Sequence, residues 1–98
     1  MKGYYLIIDT DGDFGLIVDS ITFYQEEIRC YAENFEKLKA LVNSMSVFET
    51  NPGKTHYGTE LVQKLRESIN NGIEANHYGG NNSFEYGIEN DDCFDIVK

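Results

Sequence analysis

Three aspartates, Asp9, Asp11 and Asp13, alternate with other residues directly after an apolar run. Carboxylates at this spacing could bind Ca²⁺ or Mg²⁺, or could present a row of negative charges to a cationic surface. If the chain is extended here, the carboxylates lie about 7 Å apart on one side. A calcium-binding EF-hand loop that began at Asp9 would also need glycine at its sixth position and glutamate at its twelfth. Phe14 and Ser20 occupy those two positions, so the sequence does not predict an EF-hand.

The run from Leu6 to Gly12 resembles the first motif of haloacid dehalogenase-type phosphohydrolases, an apolar strand followed by Asp-x-Asp-Gly. The resemblance implies a Mg²⁺-dependent reaction in which Asp9 attacks phosphorus, Asp11 handles the proton and Asp91-Asp92 supply late metal-binding acids. Asp13 stands where that family usually has threonine or valine. The family's fold is a doubly wound sheet of parallel βαβ units, which requires a longer chain. A metal-dependent phosphohydrolase therefore ranks behind the two binding hypotheses below.

The histidines and cysteines form no metal-binding or nucleophile motif. His56 and His77 are far apart in the sequence, and so are Cys30 and Cys93. A zinc site needs three or four converging ligands. We expect both cysteines to be small apolar core residues, while a disulfide between them stays an open alternative. The sequence thus predicts no metal, no cofactor and no enzymatic activity.

Acidic charge is the dominant feature of the composition. The chain carries 17 Asp and Glu against 8 Lys and Arg in 98 residues, a formal net charge of -9. Direct binding to nucleic acid or to an anionic membrane is disfavoured, because phosphate contacts need Lys and Arg. The charge favours an encounter with a basic protein surface instead. No stretch resembles a signal peptide or a membrane span, so we expect a cytoplasmic protein.

The predicted partner-binding residues are acids around two predicted turns, together with tyrosines in or beside loops. Tyrosine is common at interfaces because its large, rigid ring costs little entropy to order. The set consists of Asp9, Asp11, Asp13, Asp19, Glu89, Asp91, Asp92, Asp95, Tyr57, Tyr78 and Tyr86.

The order of the predicted elements indicates one α+β domain over residues 1–98. We expect an antiparallel sheet built from an N-terminal hairpin or meander and a C-terminal hairpin, with two helices packed on one face. Residues 4–9 and 14–19 are predicted to be the first two strands, joined by a turn at 10–13. Residues 83–88 and 93–97 are predicted to be the closing hairpin.

The middle of the chain is less clear. Residues 27–33 are favoured as a third strand, although apolar spacing from 21 to 45 also fits one long helix. In the favoured interpretation Asn34 caps a helix over 35–45. Thr59 is predicted to cap a second helix, which ends near Gly72, and residues 76–82 are predicted to be a polar loop.

The leading hypothesis is a small acidic inhibitor that covers the nucleic-acid-binding surface of a basic protein. Acidic proteins of this length without a catalytic signature are common among phage and mobile-element inhibitors of restriction or CRISPR enzymes, where carboxylates mimic DNA phosphates. The alternative is an immunity or antitoxin-like protein that neutralises a basic toxin. Homodimer formation through a sheet edge is compatible with both.

Overall fold

A computed structural model describes residues 3–89, which form two helices and two antiparallel sheets. The predicted α+β class is confirmed. In chain order the elements are β1 (Gly3–Asp9), β2 (Gly15–Val18), β3 (Ile21–Phe23), β4 (Glu27–Ala32), α1 (Phe35–Asn43), β5 (Ser46–Phe48), α2 (Thr55–Asn70), β6 (Asn76–Gly79) and β7 (Ser83–Glu89).

The larger sheet has the strand order β4-β1-β7-β6, and the smaller sheet has the order β3-β2-β5. Every strand pairing within residues 3–89 is antiparallel. The parallel, doubly wound core that the phosphohydrolase resemblance implies is therefore not the architecture of this part of the chain.

The turn predicted at residues 10–13 is present. Asp11 and Gly12 have φ values of 52° and 73°, and the Asp13 N–H donates to the Thr10 carbonyl at 2.9 Å. The strands on either side of this turn do not pair with each other, because β4 and β7 occupy both edges of β1. The chain instead passes from the larger sheet to the smaller one.

The N-terminal hairpin lies one strand later than the sequence placed it. Its strands are β2 and β3, and its two-residue turn is formed by Asp19 and Ser20, with φ values of 51° and 69°. Positive φ at both central residues is the type I′ geometry that matches the twist of paired strands. This hairpin belongs to the smaller sheet, so the described residues form two sheets where the sequence predicted one.

The favoured interpretation of the middle of the chain is confirmed, and the long helix is not formed. β4 occupies most of the predicted strand, and the Asn34 side chain caps α1 by accepting from the Lys37 N–H at 2.9 Å. The helix ends at Asn43, two residues early, because the chain turns into β5. Arg66 of α2 donates to backbone carbonyls at this helix end, including that of Met45.

The second helix begins at Thr55 rather than after Thr59, with Lys54 at the N-cap and no side-chain cap bond. It ends at Asn70, and Gly72 has the left-handed φ of 80° that the sequence predicted. Residues 76–79, predicted as loop, form β6 and pair with β7. The predicted strand over 93–97 lies outside the described residues.

Both helices contribute to one core against the inner face of the larger sheet. Its fully buried side chains include Leu6, Ile8, Leu38, Val42, Leu65, Ile69, Phe84 and Tyr86. Cys30 is buried there as a free thiol, as predicted, and burial raises its pKa to about 12. Cys93 lies outside the described part of the chain.

Candidate binding surface

Four acidic residues gather where β1 ends. Asp9 lies opposite Glu27 in the register of β1 and β4, and the Asp9 carboxylate accepts the Asp11 N–H at 2.9 Å. The carbonyl of Glu26 accepts the Thr10 N–H at 2.7 Å, which fixes this residue beside the same loop. All four acids are exposed. We call Asp9, Asp11, Glu26 and Glu27 the acidic ledge.

The acidic ledge carries more negative charge than its surroundings neutralise. Glu27 pairs with Arg29 at 2.7 Å, in an ion pair that is about half exposed on both sides. Within residues 3–89, no Lys, Arg or His forms an ion pair with Asp9, Asp11 or Glu26. Carboxylates that lie opposite each other on neighbouring strands repel. A cationic ligand at this position would relieve that repulsion.

Asp13 does not join the ledge, although its position in the sequence suggested that it would. Only 9% of the residue is exposed. Its carboxylate accepts from the Asn82 amide at 3.1 Å and lies 3.7 Å from the Lys54 ammonium. We call Asp13, Lys54 and Asn82 the loop anchor, because they tie loop 10–13 to the rest of the molecule. The expected row of three carboxylates is therefore not formed.

Asp19 and Glu89, two further acids of the predicted set, lie away from the ledge. Asp19 is exposed in the turn between β2 and β3, in the other sheet. Glu89 lies opposite Gly3, at the end of the larger sheet far from Asp9, about 20 Å along the strand. Asp91, Asp92 and Asp95 lie outside the described residues. Across residues 3–89, no group of three His, Cys, Asp or Glu side chains could hold a metal ion.

Tyr86 is a core residue and cannot contact a partner, contrary to the prediction, because only 1% of it is exposed. Its hydroxyl donates to the Ile73 carbonyl at 2.6 Å, so the Ser68 hydroxyl, also at 2.6 Å, must donate to Tyr86. Asn76 in turn donates to the Ser68 oxygen at 2.8 Å. We call this chain the Tyr86 network. Burial raises the pKa of the Tyr86 phenol, and the Ser68 hydrogen bond opposes that rise.

The other two predicted tyrosines meet in a pocket. Tyr57 and Tyr78 line it together with Glu60, Leu61 and residues 79–82, and its volume is about 160 Å³. The first turns of α2 supply one wall, and the β6–β7 hairpin supplies the other. We call this cavity the hairpin pocket. It brings together residues that are about 20 positions apart in the sequence.

Each tyrosine ring of the hairpin pocket is supported by a second ring outside the pocket lining. The Tyr78 ring stacks on Phe84 with centroids 5.5 Å apart and planes inclined by 25°. The Tyr57 ring lies against His56 with centroids 4.1 Å apart. The contact with buried Phe84 therefore positions the Tyr78 ring before any ligand arrives, whereas Tyr57 is 41% exposed.

The acidic ledge and the hairpin pocket are neighbours. Asn82, which lines the pocket, donates to the Thr10 carbonyl at 2.9 Å, and Ser83 lies opposite Asp9 in the sheet register. The surface that joins them combines carboxylates that form no ion pair within residues 3–89 with an aromatic recess. A single partner could contact both.

Sequence reasoning missed three residues of this surface. The sequence analysis named none of Glu26, Glu27 and Glu60 as a binding residue, and it placed Glu27 at the start of the predicted strand over 27–33. The available signal was the pairing of β1 with β4, which brings the start of β4 beside Asp9. Glu60 carries no comparable signal, because its role depends on a hairpin that lies about 20 residues later.

Comparison with protein-family models, with curated proteins and with solved structures finds no match to this chain. Neither helix within residues 3–89 is long and apolar enough to cross a membrane.

Proposed function

We propose that this protein is a non-enzymatic inhibitor that binds a basic, nucleic-acid-handling protein through the acidic ledge. The observation that carries the proposal is the lack of an ion pair at Asp9, Asp11 and Glu26 within residues 3–89. Exposed carboxylates that no Lys, Arg or His of this range neutralises attract an incoming Lys or Arg. The formal net charge of -9 adds long-range attraction to this local one.

Placing carboxylates at the end of a sheet has a physical advantage for binding. Two of them, Asp9 and Glu27, stand side by side on neighbouring strands, and the backbone of the sheet fixes their separation. The Asp11 N–H holds the Asp9 carboxylate in place. Pre-positioned charges lose little conformational entropy when a partner binds. They can therefore occupy cationic sites on the partner that otherwise bind nucleic-acid phosphates.

The form of this proposal that we favour is a phage or mobile-element inhibitor of a restriction or CRISPR nuclease. Support comes from the small size, the acidic charge and the exposed ledge. Such an inhibitor would compete with DNA for the basic groove of the nuclease. Its binding should weaken as salt increases, because screening shortens the reach of exposed charges to about 10 Å at 0.1 M ionic strength.

The test compares two triple variants that remove the same charge from different places. The ledge variant carries Asp9→Asn, Asp11→Asn and Glu26→Gln. The control variant carries Asp19→Asn, Glu49→Gln and Glu67→Gln, all at exposed positions outside the ledge. Binding to purified restriction and CRISPR nucleases is measured by surface plasmon resonance between about 50 and 300 mM salt, alongside DNA cleavage.

We expect the ledge variant to bind about tenfold more weakly than the wild type, which corresponds to about 1.4 kcal/mol for the three charges. Its affinity should also depend less on salt. The control variant should stay within about twofold of the wild type. Equal losses in both variants would show that only net charge matters, and an affinity unaffected by salt would contradict the proposal.

A further inference from the structure

We propose that the hairpin pocket binds the guanidinium group of one arginine side chain that the partner presents. This inference rests on the proposed function, since it assigns the pocket to the same basic partner. The pocket adjoins the acidic ledge through Asn82 and Ser83, so one partner surface can contact both. The ledge would supply attraction over distance, and the pocket would supply recognition at contact.

The size of the pocket limits what it can hold. Pockets for drug-sized ligands usually occupy about 300–1,000 Å³, and this one has a volume of about 160 Å³. A cavity of about 150 Å³ is large enough to hold a benzene molecule. The hairpin pocket therefore fits a single planar group of a few heavy atoms, which describes the end of one side chain.

The lining selects a cation. Among residues 3–89, Glu60 is the only charged residue that lines the pocket, and no Lys, Arg or His of this range lines it. An anion would be repelled by the Glu60 carboxylate, whereas a cation would be attracted to it. Tyr57 and Tyr78 add two aromatic rings, and aromatic rings attract cations within about 6 Å of their centroids.

Guanidinium fits the pocket better than the ammonium of lysine. It is planar, it is more weakly hydrated, and it stacks on aromatic rings while its N–H groups bind a carboxylate in two places. Tyr57 and Tyr78 offer the stacking surface, and Glu60 offers the carboxylate. The amide nitrogen of Asn82 is already occupied by Thr10 and Asp13, which leaves its oxygen as a further acceptor.

The walls of the pocket are held in place without a ligand. Phe84 supports the Tyr78 ring, and the loop anchor fixes Asn82 through Asp13 at 3.1 Å. A preorganised site loses less entropy on binding than a mobile one. A single side chain can therefore make a measurable contribution even though the pocket is small.

The test is an NMR titration of the whole chain with N-acetyl-L-arginine amide, in the absence of any nuclease. We expect saturable shifts of the backbone amides of Gly79 and Gly80, with Kd in the millimolar range, about 4 kcal/mol of binding free energy. N-acetyl-L-citrulline amide is the matched neutral probe, because it keeps the shape of arginine and lacks its charge. It should bind at least about fivefold more weakly.

Two variants locate the site. Glu60→Gln and Tyr57→Leu should each weaken binding of the arginine probe by about three- to fivefold. Glu67→Gln is the matched control, because it removes the same charge from an exposed position on the same helix, and it should leave the titration unchanged. Tyr57 is 41% exposed, so its replacement leaves the core intact.

Equal binding of the arginine and citrulline probes would overturn the proposal, and so would a Glu60→Gln variant that binds arginine as well as the wild type does. Shifts that rise linearly without saturation would also count against it. Failure of the proposed function is read separately, because it appears in the nuclease assay with the ledge variant. The arginine titration contains no nuclease and reports on the pocket alone.

Discussion

The Tyr86 network and the acidic ledge are both clusters of polar groups, but they are completed in opposite ways. In the Tyr86 network each group finds its partner inside the molecule: Tyr86 donates to a backbone carbonyl and Ser68 donates to Tyr86. On the ledge, Asp9 and Asp11 have no cationic partner within residues 3–89. The first cluster holds the fold together, and the second remains available for binding.

Burial, more than residue type, decides what a polar group contributes to this protein. A buried polar group without an internal hydrogen-bond partner lowers the stability of the fold. Buried polar groups are therefore almost always hydrogen-bonded within the protein. An exposed carboxylate is hydrated and is tolerated without a partner. Loop 10–13 contains both cases two residues apart, with Asp11 exposed and Asp13 enclosed by Asn82 and Lys54.

The largest expected effect is on the buried side of this comparison. Tyr86→Ala should lower the free energy of unfolding by about 3–5 kcal/mol, because it creates a cavity in the core and leaves Ser68 and the Ile73 carbonyl with lost hydrogen bonds. Urea denaturation, monitored by circular dichroism, measures this loss of unfolding free energy. Tyr57→Ala is the control, since Tyr57 is 41% exposed, and it should cost under about 1 kcal/mol. Similar losses in both variants would contradict the assignment of Tyr86 to the core.

The next effect compares two aspartates of one loop under the same substitution. Asp13→Asn should destabilise the protein by about 1–3 kcal/mol, because it removes the charge that holds the Asn82 amide and the Lys54 ammonium. Asp11→Asn should stay within about 0.5 kcal/mol of the wild type, since asparagine tolerates its φ of 52°. The urea midpoints of the two variants, measured under the same conditions, give the difference in stability. If the two variants lose equal stability, the loop anchor does not hold the loop.

Local parts of this fold could be predicted from the sequence. The third strand predicted over residues 27–33 matches β4, Asn34 identified the start of α1, and Gly72 identified the end of α2. Each of these signals depends on residues within a few positions of one another. Turn 10–13 was predicted for the same reason.

What could not be predicted depends on distant pairing. The same turn does not make a hairpin, because β7, more than 70 residues later, takes one edge of β1. Asp13 and Asn82 are 69 positions apart, so nothing near Asp13 indicated that it turns inward. Tyr86 was predicted to lie beside a loop and to contact a partner. Its hydroxyl instead bonds to Ser68 and to the Ile73 carbonyl, which are distant in the sequence.

Only some of the residues that line the hairpin pocket were predicted to bind a partner, again because the pocket joins distant parts of the sequence. Tyr57 and Tyr78 were both expected to bind a partner, and the structure brings them into one cavity. Glu60, which gives that cavity its charge, was not expected.

The smallest expected effect concerns Tyr5, a half-buried group between the two extremes. Burial first, then the hydrogen bond to Glu85 and the charges of Glu85 and Glu89, raise the pKa of Tyr5 from 10.0 to about 12. A phenol with a raised pKa in the folded state favours folding while it is protonated. Its contribution is fully present below about pH 10 and is lost as the pH rises towards 12. Stability should therefore fall over this alkaline range.

Tyr5→Phe should make that decline shallower, because phenylalanine has no proton to lose. The decline should not vanish, since the Cys30 thiol, with its pKa raised to about 12 by burial, titrates in the same range and in the same direction. Urea midpoints at about pH 9, 10 and 11 measure the slope. Tyr24→Phe is the control, because Tyr24 is 69% exposed, and its slope should match the wild type. A Tyr5→Phe slope equal to that of the wild type would mean that Tyr5 behaves as an exposed group, like the ledge and unlike Tyr86.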